Sequence, residues 1–147
     1  MTGDLTKEVK IRIRGLQMQN NEDQVEVVAV GKMYEDEESG FVSLFYDEVV
    51  KEEENGVVQV AKNLLKLRKD QAEIIKRGPT KTHMVFVPNE TTYTYYSTPA
   101  GELEVSIFTR SMERIKMPYG FHFRLQYDLE LNQTFISQCN IDILVEG

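Results

Sequence analysis

The chain predicts an all-β fold, a single antiparallel β-barrel of about eight to ten strands with mostly short connections. Three observations predict it. From 121 to 132 the residues alternate without a break: Phe121, Phe123, Leu125, Tyr127, Leu129 and Leu131 are apolar or aromatic, and the residues between them are polar. A period of two sends one set to the core face of a sheet and the other to water. Second, short alternating runs bounded by turn signals recur at close spacing along the whole chain, as in a sandwich or barrel. Third, so many strands in one open sheet would leave exposed edges, which closure removes.

The elements follow in order. Residues 8–18 open the chain, with Val9, Ile11 and Ile13 alternating against Lys10, Arg12 and Arg14. Runs at 25–37 and 41–53 are joined at Ser39-Gly40, and Asn55-Gly56 is the strongest hairpin signal present. Residues 57–68 also fit a helical spacing; the Asn55-Gly56 turn, which asks for antiparallel pairing on both sides, favours a strand. Further strands are expected at 72–77, 84–87, 92–98, 102–109 and 112–117, then at 121–132 and in a last run carrying Phe135, Cys139, Ile141, Ile143 and Val145 on one parity.

The turns imply registers. A two-residue loop at Ser39-Gly40 pairs Lys32 with Asp47 and Tyr34 with Phe45, and sets Met33 beside Tyr46 and Gly31 beside Glu48 on the inward face. A two-residue turn at Asn55-Gly56 places Asn63 across from Glu48. A three-residue loop at Pro118-Tyr119-Gly120 pairs Met117 with Phe121 and Ile115 with Phe123. A bulged or longer turn at 132–134 pairs Leu131 with Phe135, Leu125 with Ile141, Phe123 with Ile143 and Arg124 with Asp142.

At 147 residues the chain is expected to be one domain spanning 1–147. Its net charge of −7 argues against nucleic acid and anionic membranes as partners, since both need a basic footprint. A lone cysteine, Cys139, forms no internal disulfide, and the N-terminal residues lack an apolar signal region. No apolar run approaches the roughly 18 residues of a membrane helix. Together these point to a soluble, intracellular protein. Two sequons, at Asn89 and Asn132, sit where asparagine suits a turn.

Glu48 is the acid of greatest interest. An inward carboxylate must be paired, hydrogen-bonded or protonated. Arg77 is its nearest cation by sequence, and Tyr46, Thr109 and Tyr127 complete a polar cluster. The same group reads either as a ligand-orienting or acid–base site or as a structural network inside a β-fold. The acidic runs 35–38 and 52–54 lack the spacing and glycine of a calcium loop and suit solvated turns. Tyr93, Tyr95 and Tyr96 are ordinary strand residues, and Cys139 lies on the apolar parity as a small buried hydrophobe. His83 and His122 offer no metal-ligand spacing, and no phosphate-binding loop or nucleophile elbow implies a cofactor.

Several segments, in this order and spacing, resemble the YwiB-like family of uncharacterised bacterial proteins across nearly the whole chain. They are Leu44-Phe45-Tyr46-Asp47-Glu48, Lys76-Arg77-Gly78 followed by Met84-Val85-Phe86, Thr98-Pro99-Ala100-Gly101-Glu102-Leu103 running on to Thr109, Tyr127-Asp128-Leu129 and Ile141-Asp142-Ile143. The resemblance implies a lipocalin-like (calycin) up-and-down barrel in the bacterial cytoplasm and no established activity. Its matched positions Tyr46, Glu48, Arg77, Thr98, Gly101, Thr109 and Tyr127 are site candidates, and Pro79 is a departure that removes a backbone donor.

Three functions stay open. A small-molecule-binding barrel calls for a cavity reaching Glu48 or Arg77, and an enzyme calls for both groups at one point. A protein-interaction module, such as a homodimer, calls for an outer apolar patch, for which Val28, Val30, Tyr34, Phe45 and Val49 are available.

Overall fold

The computed structural model describes residues 6–15, 26–51, 56, 58–78, 81–98 and 100–147. Among them run ten strands: β1 (Thr6–Arg14), β2 (Glu26–Glu35), β3 (Val42–Lys51), β4 (Val58–Arg68), β5 (Gln71–Arg77), β6 (Thr82–Phe86), β7 (Thr91–Thr98), β8 (Gly101–Met117), β9 (Gly120–Leu131) and β10 (Thr134–Glu146). They form one sheet in the order β6-β5-β4-β3-β2-β1-β10-β9-β8-β7. Sequence neighbours pair antiparallel except β6 and β7, and β1 pairs with β10, so the chain is an up-and-down meander whose ladder is interrupted between β6 and β7.

The turn between those two strands draws the barrel nearly shut. Asn89 N donates to Thr109 O at 2.8 Å, Thr109 N donates to Glu90 O at 3.3 Å, and Thr92 Oγ1 donates to the Val85 carbonyl. Asn89 takes a positive φ of 64° to make this turn, a conformation asparagine tolerates.

The residues expected to choose between helix and strand form β4. Ala61, Asn63, Leu65 and Leu67 are buried and the residues between them are not, the mark of a half-buried strand. The expected strands 102–109 and 112–117 are one element, β8, with a bulge at Arg110 between Thr109 and Ser111.

Two registers differ from expectation by two residues, which preserves faces. In β2–β3, Lys32 pairs with Phe45, Met33 with Leu44 and Tyr34 with Ser43. The cause is Asp36, whose carboxylate accepts Glu38 N at 3.1 Å and Ser39 Oγ at 2.9 Å and so builds a longer loop over 36–41. In β3–β4, Glu48 pairs with Ala61 and Tyr46 with Asn63. Most of the Asn55-Gly56 turn, the acidic run 52–54, Pro79 and the expected strand ends at 16–18, 25 and 52–53 lie outside the described residues.

The Pro118 hairpin differs by one residue, which does not preserve faces. Met117 pairs with Gly120, Lys116 with Phe121, Ile115 with His122 and Arg114 with Phe123, around the two-residue loop Pro118-Tyr119. A β-carbon at Gly120 would lie 1.8 Å from the Val145 carbonyl oxygen, so only glycine fits that close approach.

Leu125–Ile141, Phe123–Ile143 and Arg124–Asp142 pair as expected in β9–β10. The turn reaches that register differently. Asn132 and Gln133 form a two-residue turn with φ of 48° and 68°, Leu131 pairs with Thr134 rather than Phe135, and a bulge at Ile136 restores the apolar face.

The barrel centre is filled by side chains. Leu44, Leu65, Phe86, Ile107, Phe123, Leu125, Tyr127, Leu129 and Ile141 are all buried there, with the Phe86 and Tyr127 rings edge to face at 5.1 Å.

Candidate functional site

β2 and β3 share four pairs, ending at Lys32–Phe45. Beyond that point β2 stays with β1 as far as Glu26, while β3 stays with β4 as far as Lys51. The wall forks. Gly31 sits at the fork, where a β-carbon would lie 2.3 Å from the Phe45 carbonyl oxygen and 3.2 Å from Tyr46 Cβ. The glycine therefore admits the neighbouring backbone and does not, as the expected register required, make room for Glu48.

A hollow of about 380 Å³ opens at the fork, with Gly31, Lys32, Tyr46, Asp47, Lys62 and Asn63 in its lining. Tyr46, Asn63 and Lys76 form one rung across β3, β4 and β5, all on the inward parity. Glu48 is two residues further along β3, opposite Ala61, and a β-carbon at Gly78 would lie 2.9 Å from Ala61 Cβ. These two small residues leave space in which Lys76 Nζ reaches Glu48 Oε1 at 2.8 Å.

The pair is half-buried, with 35% of the Lys76 and 32% of the Glu48 side chain exposed, so water screens it and its contribution to stability is modest. Burial, and then the Glu48 charge, push the Tyr46 hydroxyl above its ordinary pKa, which keeps it protonated and able to donate. Asn63 is buried, and its side-chain contact among the described residues is a long one, Nδ2 to Ala61 O at 3.4 Å. The group therefore offers a carboxylate, an ammonium, a phenol and a nearly unspent amide.

The structure brings Tyr46 and Glu48 together but not the other candidates. Arg77 pairs with Lys62 and lies on the outward parity, so the expected Glu48–Arg77 pair gives way to Glu48–Lys76. An acid–base site with Glu48 and Arg77 at one point does not form. The parity of β5 carries the missed signal: Ala72 and Ile74 face the core, and Lys76 follows at the same spacing.

Thr109 and Tyr127 face one another across β8 and β9, both fully buried. Among the described residues the Thr109 and Tyr96 hydroxyls have no hydrogen-bond partner, and the Tyr127 hydroxyl has at most the weak acceptor Cys139 beside it. Burial, with Cys139 and Tyr96 nearby, raises the Tyr127 pKa. Cys139 pairs with Tyr127, as its parity implied, and its sulfur lies 3.2 Å from Ser137 Oγ. Thr98 and Gly101 pair at the β7–β8 turn.

An all-β up-and-down barrel with a polar fork in its wall is the class these features define. A family model described as a domain of unknown function, DUF1934, matches residues 9–143, and the chain belongs to that family. Among solved structures it is similar to the ywiB protein from Bacillus subtilis, with a TM-score of 0.68 at 20% identity over 97% of this chain and 92% of that one. No curated protein matches. The YwiB-like resemblance in the sequence is thus borne out for family and fold. Among the described residues no helix is long and apolar enough to cross a membrane.

Proposed function

We propose that this barrel binds a small polar molecule at the β2–β3 fork, in the cytoplasm. The observation that carries the reading is the half-buried Glu48–Lys76 pair beside a hollow lined by Tyr46 and Asn63. A ligand with a donor for Glu48 and an acceptor for Lys76 would exchange into a pair that water already reaches, at little desolvation cost. Its acceptor would also meet the Tyr46 hydroxyl and the Asn63 amide. Arg77, Thr109 and Tyr127 stand outside this reading: the first faces outward and the other two lie in the packed centre. A free Cys139 is compatible with a reducing compartment.

The test is native mass spectrometry of the protein purified from its own cells, which reads retained ligand and oligomeric state together. The expected result is a bound mass that the Glu48→Gln and Lys76→Met variants release. Wild-type protein that carries no added mass, or variants that retain it, would overturn the reading.

A second reading has its own observation. Val28, Val30, Phe45, Val49, Val58 and Val60 are exposed on the outer face of β2, β3 and β4, and Asp47 and Lys62 lie among them. That patch is self-complementary, apolar with both signs of charge, and so suits a second copy of this chain about a two-fold axis. Light scattering that returns a monomer for wild type would remove it, and a Val30→Glu/Val49→Glu variant should convert a dimer to monomer.

A further inference from the structure

A second hollow, of about 300 Å³, lies at the other end of the barrel. Its lining includes Glu35, which pairs with Val42 at the start of β3. Glu48 is six residues further along that strand, roughly 20 Å at about 3.3 Å per residue. Three cations line the hollow: Lys7 from β1, and Arg114 and Lys116 from β8. None of them has an ion-pair partner among the described residues. Glu35 is the acidic side chain in the lining, Gly147 packs against Lys7 so closely that a β-carbon there would lie 3.0 Å from Lys7 Nζ, and Val9, Phe121 and Val145 supply an apolar floor.

Such a gathering is unexpected on a chain of net charge −7, because three unpaired like charges raise one another's energy. The arrangement also has a specific origin. The bulge at Arg110 moves Arg114 and Lys116 onto the parity of Phe123 and Phe121, their partners on β9. The Arg114 guanidinium lies 4.6 Å from the centroid of the Phe121 ring, a cation–π contact that holds the charge against the apolar floor.

From these features the geometry points to a binding site for a small amphipathic anion: a phosphate or carboxylate head held by Arg114, Lys116 and Lys7, with an apolar or aromatic body on the Phe121 floor. Arginine takes such heads bidentately, and lysines add point charge. The volume stands at the lower limit of small-molecule pockets, which suits one ring or a short chain. A single small hollow on an acidic protein does not suit nucleic acid, which needs a charged track.

The test is titration of the full-length, 15N-labelled protein with phenyl phosphate, and in parallel with benzoate and with phenol. Saturable amide shifts are expected around Lys7, Arg114, Lys116 and Phe121 at low millimolar phenyl phosphate or benzoate, and not with neutral phenol. The tighter of the two anions identifies the head group. Arg114→Gln and Lys116→Gln keep the side-chain bulk at exposed positions, and each should weaken binding about tenfold, the scale of one charge-assisted hydrogen bond. Unchanged shifts elsewhere in the spectrum report that the variants stay folded. No saturable shift with either anion, equal binding of phenol, or affinity that survives both substitutions would overturn the proposal.

Discussion

β8 and β9 share a ladder from Val105–Leu131 to Met117–Gly120, yet they divide their residues between core and surface in different ways. In β9 one parity is inward throughout, and Phe121, Phe123, Leu125, Tyr127 and Leu129 are all buried. In β8 Val105, Ile107 and Thr109 are buried, but beyond the bulge the inward positions fall to Met112, Arg114 and Lys116 while Ile115 and Met117 turn outward. One extra residue exchanges the faces of everything that follows it. The bulge is held from several sides. Arg110 donates to both carboxylate oxygens of Asp128, at 2.9 and 2.7 Å, and the backbone of Thr109 receives the closing turn at Asn89 and Glu90. Alternation thus identifies a strand, and the ladder's irregularities decide which alternate set becomes core.

The largest effect expected from this contrast comes from truncating two partners on one rung, Phe123 and Arg114. Phe123→Ala removes a fully buried ring and should cost about 3–5 kcal/mol by cavity formation. Arg114→Ala removes an exposed side chain and should change stability by no more than about 0.5 kcal/mol. Urea denaturation measures both. If Arg114→Ala were as costly as Phe123→Ala, the lower half of β8 would belong to the core after all.

Deleting Arg110 removes the extra residue itself. Ser111 then follows Thr109 directly, the two opposite Gln126 and Tyr127, so the ladder becomes regular while Ile115 still meets His122 and Arg114 and Lys116 keep their inward parity. Cross-strand NOEs should retain the Ile115–His122 contact, the amide shifts induced by phenyl phosphate should persist, and the cost should be that of the lost Arg110–Asp128 pair. A move of Ile115 to Phe123 would show that the faces of lower β8 depend on Arg110 itself and not on the residue count.

How much was legible in the sequence follows the same division. β9 and β10 were, with their register beyond the bulge at Ile136, because an unbroken apolar face tolerates only one pairing, and Arg124–Asp142 came with it; the two-residue turn and the Leu131–Thr134 pair were not. Strand β4 was legible from its turn signal despite its helical spacing. The lower half of β8 was not: Ile115 and Met117 look inward by composition, and a bulge leaves no local mark when the extra residue is an ordinary arginine. At the candidate site, parity alone finds Tyr46, Glu48 and Asn63 as inward polar residues, and applied to β5 it finds Lys76. Arg77 was preferred for its charge at a strand end, where one step along the strand changes the face. The fork between β2 and β3 is a property of how two ladders part, and its trace in the sequence is Gly31.

A smaller effect concerns the rung just above the bulge, where both strands still agree. Tyr127 is buried there, and its pKa stands above the ordinary 10.0 because of burial first and then Cys139 and Tyr96. Tyr46 is raised as well, by burial and by Glu48. In the unfolded chain these phenols ionise near pH 10 while the folded protein keeps its protons, so above that pH the unfolded state binds fewer protons and stability falls. Their contribution is complete below about pH 10 and is lost progressively above it. Urea midpoints between about pH 8 and pH 11 should decline at the alkaline end, less steeply in Tyr127→Phe. Parallel curves for variant and wild type would mean that Tyr127 titrates alike in both states.

The smallest effect, and the one whose sign decides most, belongs to Thr109, opposite Tyr127 on that rung. Its hydroxyl is buried without a hydrogen-bond partner among the described residues, with the Tyr127 and Tyr96 hydroxyls also buried nearby. An unsatisfied buried hydroxyl costs about 1–3 kcal/mol relative to one in water, and valine keeps the shape of threonine while removing that cost. Thr109→Val should therefore be neutral or stabilise by up to about 1 kcal/mol, against the general tendency of buried substitutions to destabilise. Urea denaturation gives the sign. Destabilisation by more than about 1 kcal/mol would mean that the hydroxyl has a partner, and a water bridging Thr109, Tyr127 and Tyr96 is the one that chemistry offers, since an ordered water needs two to four polar neighbours. The rung above the bulge would then be a polar centre of the barrel and not merely the last place where β8 and β9 agree.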